Sequence, residues 1–177
     1  LVMGVQRYSD GRVRDGSVNT TQGMADLLRE QSFMGYGYDV AMKMDPTADE
    51  VLRYIGEAFA DAQKGDVSLF YVNCHGRYRG GLAYLEMQDG STLTAQQLES
   101  ALRKVPGTVV VMIDCCNSGS FINPEQSRAF GKRVVNAFAP KSRGSFAMSK
   151  YRVLCSSSAT QESYRYAQTK KNPEANM

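Results

Sequence analysis

Val67-Ser68-Leu69-Phe70-Tyr71-Val72-Asn73-Cys74-His75-Gly76 is the stretch on which the reading of this chain turns. Its apolar run follows Lys64-Gly65-Asp66 and has the length and bracketing of a strand buried on both faces. The run leads directly to the only histidine in the 177 residues. A second run of the same kind, Thr108-Val109-Val110-Val111-Met112-Ile113, follows Pro106-Gly107 and ends in Asp114-Cys115-Cys116-Asn117-Ser118-Gly119. Strands alternating with helices imply crossovers and parallel pairing. A parallel sheet gathers its ligands outside the carboxyl ends of its strands, which is where His75 and Cys116 both fall.

Working outward, Leu1 to Gln6 reads as a strand, followed by a polar loop from Arg7 to Asn19. Thr20 to Gln31 reads as a helix with Met24, Leu27 and Leu28 on one face. Tyr38 to Met44 alternates as a strand. Asp45-Pro46-Thr47 then opens a helix in which Thr47 and Glu50 form a capping box and Val51, Ile55, Ala58 and Phe59 form the apolar stripe. Leu82 to Met87 and Ser91 to Leu93 flank Gln88-Asp89-Gly90 as a hairpin. Thr94 and Gln97 mark a second capping box before a helix over Ala95 to Lys104. Pro124 to Phe138 is expected to be helical despite Gly131, Ala139 to Lys150 to be a basic loop, and Tyr151 to Ser156 a last strand. The alternation predicts an α/β fold, a mostly parallel central sheet with helices on both faces.

The length suits one well-cored domain, and 42% hydrophobic with 22% charged residues is ordinary globular composition. A net charge of +3 with no basic face argues against a nucleic-acid partner. No apolar stretch reaches the length of a membrane span. The opening Leu1-Val2-Met3-Gly4-Val5 reads as a strand already under way, so an upstream segment is expected. The compartment is left open between the cytoplasm and an exported or envelope location. The four cysteines suggest reduced thiols: Cys115 and Cys116 are adjacent, while Cys74 and Cys155 lie in strand-like contexts. With no CxxC pair and a single histidine, a metal site is not expected.

A thiol becomes a nucleophile at neutral pH when a base stands ready, and the chain offers only His75 for that task. Gly76 leaves room for a substrate carbonyl. Its N–H and that of Cys116 are natural oxyanion donors, a contribution of about 3–4 kcal/mol to acyl transfer when well aimed. Strand alternation puts Ile113 and Cys115 in the packed layers and turns Asp114 and Cys116 toward the cleft. A carboxylate at Asp114 would line the pocket for the side chain preceding the cut bond and select Arg or Lys. Each residue also has a structural explanation: a satisfied histidine, an inert packed thiol, an Asx turn at Asp114. Those explanations leave the meeting of the two loops unaccounted for. A phosphatase loop would need an arginine where Ile122 stands, and a Cys115–Cys116 redox pair would close a strained eight-membered ring.

These residues resemble the caspase-type cysteine peptidases, which include caspases, metacaspases, clostripain, gingipains and legumain. His75-Gly76 after an apolar strand matches, and so does the second loop. Asp114-Cys115-Cys116-Asn117-Ser118-Gly119 is similar to the Asp-x-Cys-His-Ser-Gly loop of metacaspase-like and bacterial caspase-like peptidases, with Asn117 in place of the histidine. Tyr151 to Ser163 resembles the family's next strand and pocket wall, and the similarity runs from Leu1 to about Ser163.

The resemblance implies a three-layer sandwich and an endopeptidase working through a thioester acyl-enzyme. In it Cys116 attacks, His75 handles the proton, and Gly76 with Cys116 forms the oxyanion hole. Asp114 occupies the place that recognises Arg or Lys in metacaspases and clostripain-like enzymes, with Glu162 or Asp15 as a second pocket acid. The implied partners are protein or peptide substrates with a basic residue before the cut. Arg14-Asp15-Gly16-Ser17 also resembles the caspase segment whose arginine binds an acidic side chain, so acidic specificity is the alternative. A catalytically silent interaction or regulatory module is a third reading, although such relatives commonly lose the His or the Cys and this chain keeps both.

Family members often cut their own loops, and Lys132-Arg133 through Lys150, with Lys141 and Arg143, offers basic sites. The fold normally adds a strand and helix beyond Ser163, so residues 1–177 are expected to be one domain lacking them. A second processed fragment of the same precursor is then an expected partner. The chemistry needs no cofactor. Calcium is raised only because some metacaspases and clostripain require it, and the chain shows no EF-hand pattern.

Overall fold

The computed structural model describes residues 1–33, 35–79, 82–116, 118–121, 146 and 149–157. Its centre is a five-stranded sheet in which every pairing is parallel. The strands are β1 (Val2–Gly4), β4 (Met42–Met44), β5 (Val67–Asn73), β9 (Thr108–Asp114) and β10 (Tyr151–Cys155), in the order β10-β9-β5-β1-β4. The remaining strands form two small antiparallel sheets. One pairs β2 (Ser32–Phe33) with β3 (Tyr36–Gly37), and the other is β6 (His75–Arg79), β7 (Leu82–Glu86) and β8 (Thr92–Thr94). The helices are α1 (Ser17–Glu30), α2 (Ala48–Ala58) and α3 (Ala95–Leu102).

The core explains the composition of each strand. β5 sits mid-sheet, and Phe70, Tyr71 and Val72 are all nearly inaccessible, as a continuous apolar run requires. β9 alternates instead, with Val109, Val111 and Ile113 buried and the residues between them half-buried. One face packs Phe70, Val72 and Val111 in a cluster with Ile55 of α2 and Leu98 and Leu102 of α3. The other packs Val2 and Tyr71 against Ala25 of α1. Both expected capping boxes form: Thr47 with Glu50 opens α2, and Thr94 with Gln97 opens α3.

Several expectations needed correction. Helix α1 begins at Ser17 rather than Thr20, because Gly16 takes a left-handed conformation (φ 73°) that turns the chain into the helix. Its buried residues are Ser17, Thr21 and Ala25, not Leu27, which is 51% exposed. The helix lies so close to β1 that a Cβ on Gly4 would collide with Thr21, and only small residues fit that face. The strand expected over Tyr38 to Met44 shrinks to Met42–Met44, the residues in register with β1. His75 does not lie in an open loop but begins β6, which pairs with β7 beside the expected β7–β8 hairpin. The expected helix over 124–138, most of the basic loop, and Glu162 fall outside the described residues. No described helix is long and apolar enough to cross a membrane.

Candidate active site

The register of β5 and β9 pairs Asn73 with Asp114, so the two chain ends leave the sheet side by side. Beyond the ladder, Cys74 N–H donates to the Asp114 carbonyl at 3.3 Å. Two residues further on the backbones close completely. A Cβ on Gly76 would strike both the Cys116 carbonyl oxygen and the Cys115 sulfur. Glycine is therefore required here by the neighbouring cysteines. The segment bearing His75 and the segment bearing Cys116 touch at this point.

The sulfurs differ in environment. All four cysteines are thiols, with Cys74 and Cys115 fully buried and Cys116 and Cys155 half-buried. The Cys115 thiol is held well above the ordinary range by its hydrogen bond with Cys74 and by burial. Burial pushes Cys155 up to about 12. Neither supplies thiolate at neutral pH, which leaves Cys116 as the half-buried thiol at the junction.

His75 is half-buried against Tyr8. The rings lie 4.9 Å apart at 35°, and His75 N–H donates to the Tyr8 hydroxyl oxygen at 2.8 Å. Burial lowers the His75 pKa, and the positive charges of Arg14, Arg12 and Arg77 lower it further against the opposing Glu86. The imidazole is thus predominantly neutral at pH 7, as a general base must be. Glu86, directly across the ladder from His75, accepts from Arg12 and from Arg77 (3.0 Å).

Asp114 anchors the second part of the site. Its Oδ2 accepts from the Tyr71 hydroxyl at 3.1 Å and from the Asn73 amide nitrogen. The carbonyl of that amide accepts from Ser17 Oγ at 2.6 Å and from the Arg14 guanidinium. Arg14, Asn73 and Asp114 thus form a chain of hydrogen bonds, with Asn73 inaccessible and Arg14 only 9% exposed. Burial and the Asp114 charge both raise the Tyr71 pKa, so its hydroxyl stays protonated and keeps donating. Asp114, Tyr71, Met112 and Ser156 line a cleft of about 550 Å³ with Thr20 and Met24 of α1. A larger cleft of about 740 Å³ lies between α2 and α3, lined by Leu52, Phe59 and Pro106, and includes none of these groups. Asp15 is exposed beside Arg14.

The turn after Cys116 is tied to the end of β10. Ser157 Oγ donates to the Cys115 carbonyl at 3.0 Å, Ser118 N–H donates to Ser157 Oγ at 3.2 Å, and Gly119 N–H donates to the Ser157 carbonyl at 2.9 Å. Among the described residues, no group of three or more His, Cys, Asp or Glu side chains is placed to hold a metal ion. The structure brings His75, Gly76, Cys116, Asp114 and Arg14 to one end of the sheet. Sequence reasoning missed Tyr8, Tyr71, Asn73 and Ser157. Asn73 left one trace, an amide closing an apolar strand, whereas Tyr8 sits in a polar loop that carries no such signal.

Comparison with known proteins bears on the family and the fold. The caspase domain profile matches residues 1–174. No curated protein matches the sequence at a significant level. Among solved structures, caspase-1 from Spodoptera frugiperda aligns with a TM-score of 0.62 at 15% identity, covering 93% of this chain and 62% of that one. A protein from Geobacter sulfurreducens aligns with a TM-score of 0.57 at 20% identity, covering 73% of this chain and 53% of that one. The Drosophila initiator caspase Dronc gives 0.53 at 18% identity, covering 63% and 46%. The aligned region is thus 46–62% of the length of these neighbours, and at such identities the likeness establishes the fold. With a family match over nearly its whole length, the chain belongs to the caspase domain family, within the caspase-like cysteine peptidases.

Proposed function

We propose that this domain is a cysteine endopeptidase that cleaves after Arg or Lys through Cys116 and His75. The observation that carries this reading is the junction at Gly76, where the segment bearing the chain's only imidazole meets the segment bearing the half-buried Cys116, while Asp114, paired with Asn73 at the end of the same two strands, borders a cleft.

In this mechanism Cys116 Sγ attacks the scissile carbonyl carbon while its proton passes to His75. The N–H groups of Gly76 and Cys116 donate to the oxyanion that forms. Collapse breaks the C–N bond, the amine leaves with the proton from His75, and a thioester stays on Cys116. Water then attacks the thioester, gives its proton to His75, and the carboxylic product departs as the thiol is restored. Arg12, Arg14 and Arg77 favour the neutral imidazole from which this cycle starts. The Asp114 carboxylate, oriented by Tyr71 and Asn73, meets the basic side chain, with Asp15 and Glu162 as candidate supporting acids. Under this specificity the basic stretch from Lys132 to Lys150 supplies sites for self-cleavage.

One observation favours a second reading. The Arg14 guanidinium is linked to Asp114 through a single amide, which puts a cation near Asp114 that an acidic side chain could engage. Arg14 is only 9% exposed and already bonded to Asn73, while Asp114 is half-buried and borders the cleft, so basic specificity is the stronger reading.

Hydrolysis of matched fluorogenic peptides ending in Arg, Lys or Asp tests this, with Cys116→Ala as the control. Cleavage after Arg or Lys that the variant abolishes is expected. Cleavage only after Asp would keep the dyad and move recognition to Arg14. No turnover of any peptide by the intact, full-length protein, with or without calcium, would favour a non-catalytic module.

A further inference from the structure

We propose that Tyr8 is a positioning residue for His75, holding the imidazole by ring contact and its backbone by a hydrogen bond. The proposal rests on the reading of His75 as the catalytic base. Its grounds lie in a loop that the sequence presents only as polar connection.

That loop is tightly built. Tyr8 N–H donates to the Arg12 carbonyl (3.0 Å), Gly11 N–H to the Tyr8 carbonyl (3.0 Å) and Arg14 N–H to the Gln6 carbonyl (2.8 Å). Arg7 and Val13 close it as an antiparallel bridge. Two outside anchors fix its place. Asp45, itself at φ 51°, accepts from Gln6 N–H (2.6 Å) and Arg7 N–H (3.0 Å). Ser9 N–H donates to the Gln88 carbonyl beyond β7 at 2.7 Å. Tyr8 is therefore carried on a braced element, 5% exposed, with its ring against the imidazole.

The contacts form a circuit rather than a single touch. Arg12 places its guanidinium 5.1 Å from the Tyr8 ring centroid and binds Glu86, and Glu86 stands across the β6–β7 ladder from His75. Loop and hairpin are thus joined twice, once through Tyr8 and His75 and once through Arg12 and Glu86. A catalytic imidazole must be held within fractions of an ångström of its working pose, and a ring with two χ angles in a braced loop does that at little entropic cost. The ring also covers one side of the imidazole from water. Among the described residues, the titratable and charged groups around His75 include Tyr8, Arg12 and Arg14 from the loop, Arg77 and Glu86 from the hairpin and, in the proposed dyad, Cys116. The buried Cys115 lies against Gly76 from the β9 end.

The single histidine makes the test direct, because its imidazole gives one NMR titration curve in every variant. Tyr8→Leu, compared with wild type at equal foldedness, is expected to raise the His75 midpoint toward the ordinary value of about 6.5 as water reaches the ring. Its kcat is expected to fall about ten- to a hundredfold with KM within about twofold, the pattern of lost positioning. A folded Tyr8→Leu with the wild-type midpoint and kcat would overturn the proposal and leave Tyr8 as a core residue only. Tyr8→Phe decides the case if the leucine variant does not fold. It keeps the ring, so the midpoint should hold, but the His75 amide loses its acceptor and should exchange with solvent at least several-fold faster. Unchanged amide exchange in Tyr8→Phe would overturn the backbone half of the proposal. The NMR readouts do not need turnover, so an inactive wild-type protein would sink the peptidase reading while the Tyr8–His75 contact was still tested.

Discussion

A histidine of ordinary pKa, about 6.5, is about one-quarter protonated at pH 7, and that fraction is lost to base catalysis. Burial beside Tyr8 and three guanidiniums lower the His75 pKa, so the neutral form persists to lower pH. The acid limb of kcat/KM should therefore have its midpoint below about 6.5, and a limb at or above that value would contradict the site described here. The linkage to stability has the same origin. On acidification below about 6.5 the unfolded chain takes up the histidine proton first, so this group contributes stability that is lost as pH falls toward its lower folded pKa. Gly76 supplies a second expectation at this scale. Gly76→Ala would drive a methyl into the Cys115 sulfur and the Cys116 carbonyl, forcing the two segments apart. It should cost at least about 1–3 kcal/mol in urea unfolding, the range for overpacking, and abolish peptide hydrolysis. A Gly76→Ala protein of wild-type stability would show that the junction is looser than the structure has it.

Among the elements, those with local signals behave as their residues dictate. The Thr47–Glu50 and Thr94–Gln97 boxes each satisfy helix N–H groups through neighbours in sequence, which is why both were legible. Thr47→Ala should cost about 1 kcal/mol, measured by urea unfolding, and a neutral result would mean that α2 is held by its buried face alone. The far end of α3 is closed by a residue that no local pattern identifies. Lys150 donates to the carbonyls of Arg103 (3.1 Å), Leu102 (3.4 Å) and Val105 from the approach to β10. A cation at a helix C-terminus contributes about 0.3–1 kcal/mol, so Lys150→Met should lower stability by that amount, with the loss shrinking in high salt. Helix α1 shows the opposite limit of local reading. Of its expected apolar face, Met24 and Leu28 pack partly buried against the core while Leu27 is exposed, and the close approach to β1 gives the fully buried places to the small residues Ser17, Thr21 and Ala25.

For the molecule as a whole, the parallel sheet sets both rigidity and placement. β5 and β9 pair over their full length and bury Phe70, Val72, Val111 and Ile113, whereas β2 and β3 form a two-rung ladder with Tyr36 80% exposed. Amide exchange should accordingly be slowest in β5 and β9 and fastest in β2–β3, and similar protection in both would contradict this architecture. Glu99 joins α3 to the last strand, 2% exposed and accepting from the Tyr151 hydroxyl at 3.1 Å and from Arg103 at 2.8 Å. The candidate site lies where the long, buried strands β5 and β9 end.

The chain's own order of residues determined the parallel α/β architecture, the β5 and β9 strands, both helix caps, and the inward Cys115 with the cleft-side Asp114. Each depends on periodicity or capping among residues a few positions apart, which the sequence states directly. Tertiary structure alone decided that Tyr8 braces His75, a contact across 67 positions, and that Arg14 reaches Asn73 across 59. It also decided that His75 opens a strand, since His75-Gly76-Arg77-Tyr78-Arg79 has no apolar alternation and pairs only because β7 lies beside it. Contacts of that range arise from the register of packed elements, a property of the assembled sheet that no short stretch of the chain contains.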